Sequence, residues 1–382
     1  MLSNAGFDAF LEEAAAFADR EIRPFAAQFE EDKGVPPALI AKMAERGYLG
    51  APLPLAYGGL QLDPVQYGLL TEQIGKACCS TRSILTVHTS LVGETILRFG
   101  TEEQKAYWLP RVASGKKIGA FALSEPEAGS DAKSVRTAYL RDGNGFVING
   151  NKKWISLGHI ADFFIVLAAG NGKLTAFLVD RQEGVTSTPM KGLLGNRAAH
   201  TAEVTFSGVR VGQEHVLGKE GNGFTHVVNT ALDYGRFSIA WAGLAIAQEA
   251  LEAVVRYARV RAQFGQKLYQ FQSIQHMIAD AVTQVHAARR LCVHAAHLRK
   301  AQHPEAATET IIAKYYASQA AMRVTTDAVQ VHGGNGCHSA YPVERLFREA
   351  KILEIIEGTS QVLQPVIAAY GLKTYFTPKA NG

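Results

Sequence analysis

Glu357 stands in the string Ile356-Glu357-Gly358-Thr359-Ser360-Gln361, and the residue types around it are those that prepare a carboxylate to accept a proton. Ile355, Ile356 and a following glycine half-desolvate it on sequence grounds, and desolvation raises a carboxyl pKa toward neutrality. An ordinary helix-start glutamate is the competing account of the same residue. Two other strings are unusual: the glycine-rich run Gln330-Val331-His332-Gly333-Gly334-Asn335-Gly336, and Phe121-Ala122-Leu123-Ser124-Glu125-Pro126-Glu127-Ala128-Gly129-Ser130-Asp131.

The elements that must position these strings fall into three blocks. Phe7, Phe10, Leu11, Ala14 and Phe17 recur at three and four, which predicts a helix with one apolar stripe. Pro36-Pro37 and Tyr57-Gly58-Gly59 punctuate this first block, and Thr101-Glu102-Glu103-Gln104 reads as a helix start. From about residue 118 the runs become short and β-rich, as in Phe146-Val147-Ile148, Phe163 to Leu167, Phe177-Leu178-Val179 and Val204-Thr205-Phe206. Gly143-Asn144-Gly145, Gly170-Asn171-Gly172 and Gly208 separate them as turns do. From Gly223 the pattern is helical again, alanine-rich and with few breakers until Gly333. The expected domains are therefore residues 1–117, all helical; 118–222, a central β domain; and 223–382, a helical bundle.

Segregated helices and strands mean an α+β chain rather than alternating βαβ units, which argues against a dinucleotide-binding Rossmann domain. The nearest phosphate-loop candidate, Gly333-Gly334-Asn335-Gly336-Cys337, has Ser339 where a third spaced glycine is needed, and it follows a helical pattern. No Walker loop, zinc-type histidine pair, nucleophile elbow or internal repeat is present, and no metal is expected.

Composition excludes other classes. The chain of 382 residues is 47% apolar and 19% charged, ordinary for a globular enzyme of two or three domains. Its 39 Lys and Arg against 35 Asp and Glu leave a formal charge of +4, with no long basic run, so no nucleic-acid partner is expected. The opening residues Met1 to Asp8 lack a basic region followed by an apolar stretch, and the longest purely apolar run, Phe163 to Ala169, is a strand's length. Neither a secretion signal nor a membrane partner is expected. Cys78, Cys79, Cys292 and Cys337 show no paired metal spacing, which reads as reduced thiols in a cytoplasmic protein; adjacent Cys78 and Cys79 read as small core residues on a helix.

Further strings complete a series: Gly47-Tyr48-Leu49-Gly50, Tyr57-Gly58-Gly59, Phe99 to Lys105, Lys153-Trp154-Ile155-Ser156, Gly195-Asn196-Arg197, Arg261-Ala262-Gln263-Phe264-Gly265 and Phe271-Gln272. In order and spacing, over nearly the whole chain, these resemble the motifs of the acyl-CoA dehydrogenase family. The resemblance implies a helical N-terminal domain, a central β-barrel-like domain and a C-terminal four-helix bundle enclosing FAD. It implies that Phe121, Leu123 and Ser124 line the pyrimidine side of the flavin, and that Trp154, Ile155 and Ser156 cover its other ring face. By itself Trp154 reads as a core aromatic; the flavin role comes from the Lys-Trp-Ile-Ser match.

Arg261, Phe264, Phe271 and Gln272, with Gln330, Val331, Gly333 and Gly334, resemble family residues that reach the FAD of a neighbouring subunit. That implies a homo-oligomer, a tetramer or a dimer. Glycine admits close backbone approach to a pyrophosphate, and amides at a helix start favour anions. Gly358, Thr359 and Gln361 match positions holding the ribityl and ADP parts. Ser130 resembles a residue near the acyl thioester and cofactor, and Asp233 and Arg236 a substrate-contacting pair. An intrahelical ion pair is the alternative for the last two.

The chemistry so implied is α,β-dehydrogenation of an acyl thioester, with Glu357 taking the α-proton. Some family members place the base one residue before the Asp-x-x-Arg arginine; Gly235 stands there and cannot act. Electron-transferring flavoprotein is the acceptor the resemblance implies. The chain departs from the family at Val362-Leu363-Gln364-Pro365, where Gln-Arg is common, which weakens inference about the nucleotide end of a CoA ligand. Leu232 to Ala240, His332 to Cys337 and Ile355-Ile356-Glu357 resemble members of polyketide pathways that act on acyl groups tethered to an acyl carrier protein, hydroxymalonyl or methoxymalonyl units among them. The rival readings are a flavin oxidase or monooxygenase on the same fold, a reductase running the reaction backwards, and a non-catalytic assembly protein.

Overall fold

A computed structural model describes residues 4–376, and these divide into two compact units between Ser238 and Ile239. In the first unit, helix α1 (Asn4–Phe17) buries Phe7, Ala14 and Phe17 of the predicted stripe and half-buries Phe10 and Leu11. Helix α2 (Cys79–Ile84) runs into a π-helical stretch, Leu85–Gly93, and helix α3 (Glu102–Ala113) follows. Thr101 and Gln104 cap α3 reciprocally, as the sequence predicted. Cys78 is buried but is the N-cap of α2 rather than a helical residue; an extended backbone there separates two helices.

Strands β1 (Gly119–Ala122), β2 (Ala138–Asp142), β3 (Gly145–Ile155), β4 (Phe163–Gly170), β5 (Lys173–Asp180), β6 (Val185–Pro189), β7 (Ala202–Gly212) and β8 (Val216–Leu217) form one sheet. Its order is β6-β7-β3-β2-β4-β5-β8, with β1 joined in parallel to β4. Every residue of β4 from Phe163 to Ala168 is buried, so the run is apolar without alternation. Asn171 and Gly172 join β4 to β5 with φ of 50° and 71°, the two left-handed residues of a type I′ hairpin. His88 fixes where β1 starts. Its Nδ1 accepts the Gly119 N–H at 3.1 Å, which leaves Nε2 to donate to the Val112 carbonyl at 2.9 Å.

Helix α4 (Asn229–Val260) continues a π-helical turn, and its residues from Ile239 belong to the second unit. The whole stretch Gly223–Val260 is long and apolar enough to cross a bilayer, yet 83% of its apolar window is buried inside the protein, as in a core helix. Helices α5 (Gln272–Lys300), α6 (Ala306–His332), α7 (Pro342–Leu353) and α8 (Ser360–Thr374) complete this unit, with α6 packed against α5, α7 and α8. Gly243 lets α4 approach α6 closely: a Cβ there would stand 2.6 Å from the Ala317 backbone.

Candidate active site

The first unit assembles two of the sequence-predicted strings. Phe121 lies on β1, and Leu123, Ser124 and Glu125 run on beyond its end at Ala122; Phe121 and Leu123 are buried and Ser124 is half-buried. The Ser124 carbonyl accepts the Lys153 N–H at 2.9 Å, which joins this segment to the end of β3.

Regular alternation along β3 would put Trp154 on the same face as buried Lys152, inside the core. The register prevents it. Lys152 pairs with Val204 and Ile155 with Ala202, so β3 carries one residue more than β7 there. This bulge gives Trp154 a φ of 64° and leaves it 55% exposed, while Lys152 and Ile155 both point inward. Lys153 pairs with Glu203 at 2.8 Å and stands 5.4 Å from the Trp154 ring centre. The core-aromatic account of Trp154 is therefore set aside.

Ser156 is half-buried beside this bulge, and Ser130 is exposed on the loop after the Glu125–Ala128 turn. An outward indole face and the Ser124 N–H, which has no hydrogen-bond partner among the described residues, together fit a flat ring with a polar edge. FAD is such a group. Asp233 and Arg236 lie one turn apart on α4, both half-buried, with Gly235 buried between them.

In the second unit Glu357 is not helical. It lies between α7 and α8 with a φ of 56°, followed by Gly358 at 97°, and the helix-start residue is Thr359, whose hydroxyl caps α8 by accepting the Val362 N–H at 3.2 Å. A non-glycine residue held in the left-handed region is strained, and such strain gathers at functional sites. The turn is clamped on both sides. Ser360 N–H donates to the Glu354 carbonyl at 2.9 Å, and the buried Lys314 ammonium donates to the Gly358 carbonyl at 2.7 Å. Ile355 is 51% exposed, while one oxygen of the half-buried Glu357 carboxylate is itself out of reach of solvent.

Gln330 and Val331 sit in the last turn of α6, and Gly333 and Gly334 follow its C-terminus. The helix-start argument for anion binding therefore does not hold, since that end of α6 presents carbonyls. Gly333 has φ 60° and ψ −140°, a glycine-only conformation, and both glycines face open space. Tyr257 stacks on His332 at 4.1 Å and its hydroxyl receives Asn335 Nδ2 at 2.9 Å, which holds this loop to α4. At 1.5 Å per residue, Lys314 and Gln330 stand about 24 Å apart along α6. The Glu357 turn and the glycine loop thus meet α6 in separate places.

Arg261, Phe264, Phe271 and Gln272 lie together on an arm. Ala262–Gln263 pairs with Gln266–Lys267 across a two-residue turn in which Phe264 and Gly265 have φ of 52° and 79°. Phe264 is 96% exposed, and Phe271 stands 6.4 Å from it, ring centre to ring centre.

Among the described residues, sequence reasoning passed over four buried cations. Lys152, Lys314 and Arg345 are three of them. The fourth is Arg82, 1% exposed, which donates to Thr86 Oγ1 at 2.9 Å, to Ser238 Oγ at 2.7 Å and to the Ser238 carbonyl. Glu125 lies within the Phe121–Asp131 string and Lys152 just before Lys153-Trp154-Ile155-Ser156, but no periodicity announces a buried lysine.

Residues 6–116, 120–209 and 221–372 match the family models described as the N-terminal, middle and C-terminal domains of acyl-CoA dehydrogenase. The chain is 40% identical over 358 residues to the short-chain specific acyl-CoA dehydrogenase of Clostridium acetobutylicum, covering 92% of this chain and 94% of that one. Among solved structures it resembles butyryl-CoA dehydrogenase from Megasphaera elsdenii, with a TM-score of 0.93, 36% identity, and coverage of 97% of this chain and 99% of that one. It also resembles FkbI, a protein for biosynthesis of the methoxymalonyl extender unit of the FK520 polyketide, with a TM-score of 0.86, 31% identity, and coverage of 96% and 99%.

Proposed function

This chain belongs to the acyl-CoA dehydrogenase family, and we propose that it converts a short acyl thioester to its trans-2-enoyl thioester with Glu357 as the base. It is an FAD-dependent oxidoreductase acting on a CH–CH bond. The observation that carries the choice of base is the strained, doubly clamped turn that holds Glu357 at positive φ. Gly235 at the alternative base position supports the same choice.

The Glu357 carboxylate accepts the α-proton as the C–H bond breaks, and that electron pair becomes the new C=C bond. FAD, when bound, supplies the acceptor for the hydride leaving the β-carbon. Phe121, Leu123 and Ser124 line its pyrimidine side, Trp154, Ile155 and Ser156 cover a ring face, and Gly358, Thr359 and Gln361 take its ribityl and ADP parts. Ser130, Asp233 and Arg236 serve the substrate. The exposed arm and the glycine loop, Arg261 to Gln272 and Gln330 to Gly334, serve the FAD of a second copy in a homo-oligomer, a tetramer or a dimer. The short acyl chain is supported by the likeness to the Clostridium and Megasphaera proteins. Electron-transferring flavoprotein is the proposed acceptor, supported by likeness to a chain in a structure concerned with that flavoprotein of Acidaminococcus fermentans.

A second reading keeps the hydride chemistry but moves the substrate to a carrier protein, as an intermediate on the way to a hydroxymalonyl- or methoxymalonyl-type unit whose β-carbon still carries hydrogen. Likeness to FkbI supports it. Anaerobic titration of the FAD-loaded protein separates the two. Bleaching of the visible flavin band by butyryl-CoA supports the first reading, and selective bleaching by carrier-linked acyl thioesters that bear a hydroxyl and a hydrogen on the β-carbon supports the second. No bleaching by either set sinks both.

A further inference from the structure

Two charged groups lie behind Ser124 and Trp154 and take no part in the function proposed above. Lys152 and Glu125 form an ion pair at 2.8 Å, their side chains 0% and 5% exposed. Lys152 Nζ also donates to the Leu123 carbonyl at 2.9 Å. The Glu125 carboxylate in turn receives the N–H groups of Arg136 at 2.6 Å and Thr137 at 2.9 Å. Burial pushes the Lys152 ammonium down to about 8, against the opposing pull of Glu125, so it stays largely charged at neutral pH.

Stability alone is a weak account of such a pair, because an apolar replacement of a buried ion pair is often neutral or stabilising. Direction is the better account. β1 ends at Ala122, so the sheet ladder does not orient the Leu123–Ser124 peptide. In a trans peptide the carbonyl and the following N–H point opposite ways. Holding the Leu123 carbonyl toward Lys152 therefore turns the Ser124 N–H away from the pair, and that N–H has no partner among the described residues.

We propose that Lys152 and Glu125 are a positioning pair that aims the Ser124 amide at the pyrimidine edge of the flavin, an inference that rests on the flavin reading above. A donor held at that edge stabilises the negative charge of the reduced ring. The pair thereby sets both how tightly the cofactor is held and how readily it accepts electrons, without touching substrate.

The test compares the wild-type chain with Lys152→Met and with Lys152→Met/Glu125→Gln. Three quantities are measured: FAD affinity by flavin fluorescence on reconstitution, flavin midpoint potential by dye equilibration, and the thermal midpoint. The single variant leaves a buried carboxylate without its cation and loses stability. The double variant removes both charges and regains it, but a thioether in place of the ammonium still cannot hold the Leu123 carbonyl. Both variants are expected to bind FAD at least tenfold more weakly, with a lowered midpoint potential. Recovery of affinity and potential together with thermal stability in the double variant would show a merely structural pair and overturn the proposal. A double variant that cannot fold overturns it as well. If the wild-type chain takes up no FAD, the flavin reading itself falls, a result distinct from a wild type and double variant that bind FAD equally.

Discussion

The ammonium of Lys314 donates a 2.7 Å hydrogen bond to the carbonyl of Gly358, the residue that follows Glu357. A buried cation on α6 thus anchors the backbone of the turn that presents the carboxylate. Glu357→Gln keeps the shape and removes the proton acceptor. It should retain FAD and lose flavin reduction by substrate by about 10²- to 10⁴-fold, the usual worth of a general base, in anaerobic stopped-flow bleaching. Near-wild-type reduction would remove Glu357 from the mechanism. Glu357→Gly should be equally inactive yet raise stability by about 1 kcal/mol in denaturant unfolding, because glycine relieves the left-handed strain.

Trp154 faces outward only because β3 carries a bulge. Trp154→Ala should weaken FAD binding about tenfold, close to 1.4 kcal/mol, by loss of a stacking face. The thermal midpoint of the cofactor-free protein should hardly move, since the ring contributes little to the core. A large drop in that midpoint would mean that the indole serves packing instead.

Gly243 and Ala317 bring two helices together with no room for a side chain. Gly243→Val is expected to destabilise the protein by about 1–3 kcal/mol or more, as overpacking does, read as a lower denaturant midpoint at unchanged slope. Wild-type stability in this variant would mean that the helices separate at little cost.

His88 supplies a pH dependence. Burial lowers its pKa from 6.5 to about 4, so between those values the unfolded chain binds a proton that the native one refuses. Its contribution is therefore complete above pH 6.5 and falls as the pH drops toward 4, a loss of roughly 3 kcal/mol. Thermal midpoints measured across that window should fall in the wild type, and fall less in His88→Leu, which starts lower because it lacks both hydrogen bonds of the ring. Equal slopes in the two proteins would locate the acid sensitivity elsewhere.

Much of this was readable from residue types. The capping pair Thr101 and Gln104, the Asn171-Gly172 turn and the fully apolar β4 are local signals, and local chemistry decides them. The strings around Ser124, Trp154 and Glu357 were visible for the same reason. What stayed hidden depends on register and burial. One extra residue in β3 against β7 decides which way Trp154 points, and neither strand announces it alone. The helical pattern of α6 was legible as far as Gly333, yet the anion binding proper to a helix start was expected at Gly333 and Gly334, which follow a helix end. Nothing local marks Lys152, Lys314 and Arg82 as buried, because a cation's burial follows from partners distant in sequence.

The sheet ends in two guarded borders. β8 is only two residues long, and β6 closes on Pro189, whose nitrogen cannot donate to a further strand. Each border offers a foreign strand only a short template. A crowded solution of this protein should thus resist fibrous, ladder-type aggregation, and the surfaces left for copies to recognise one another are those of the helices and the Phe264 arm.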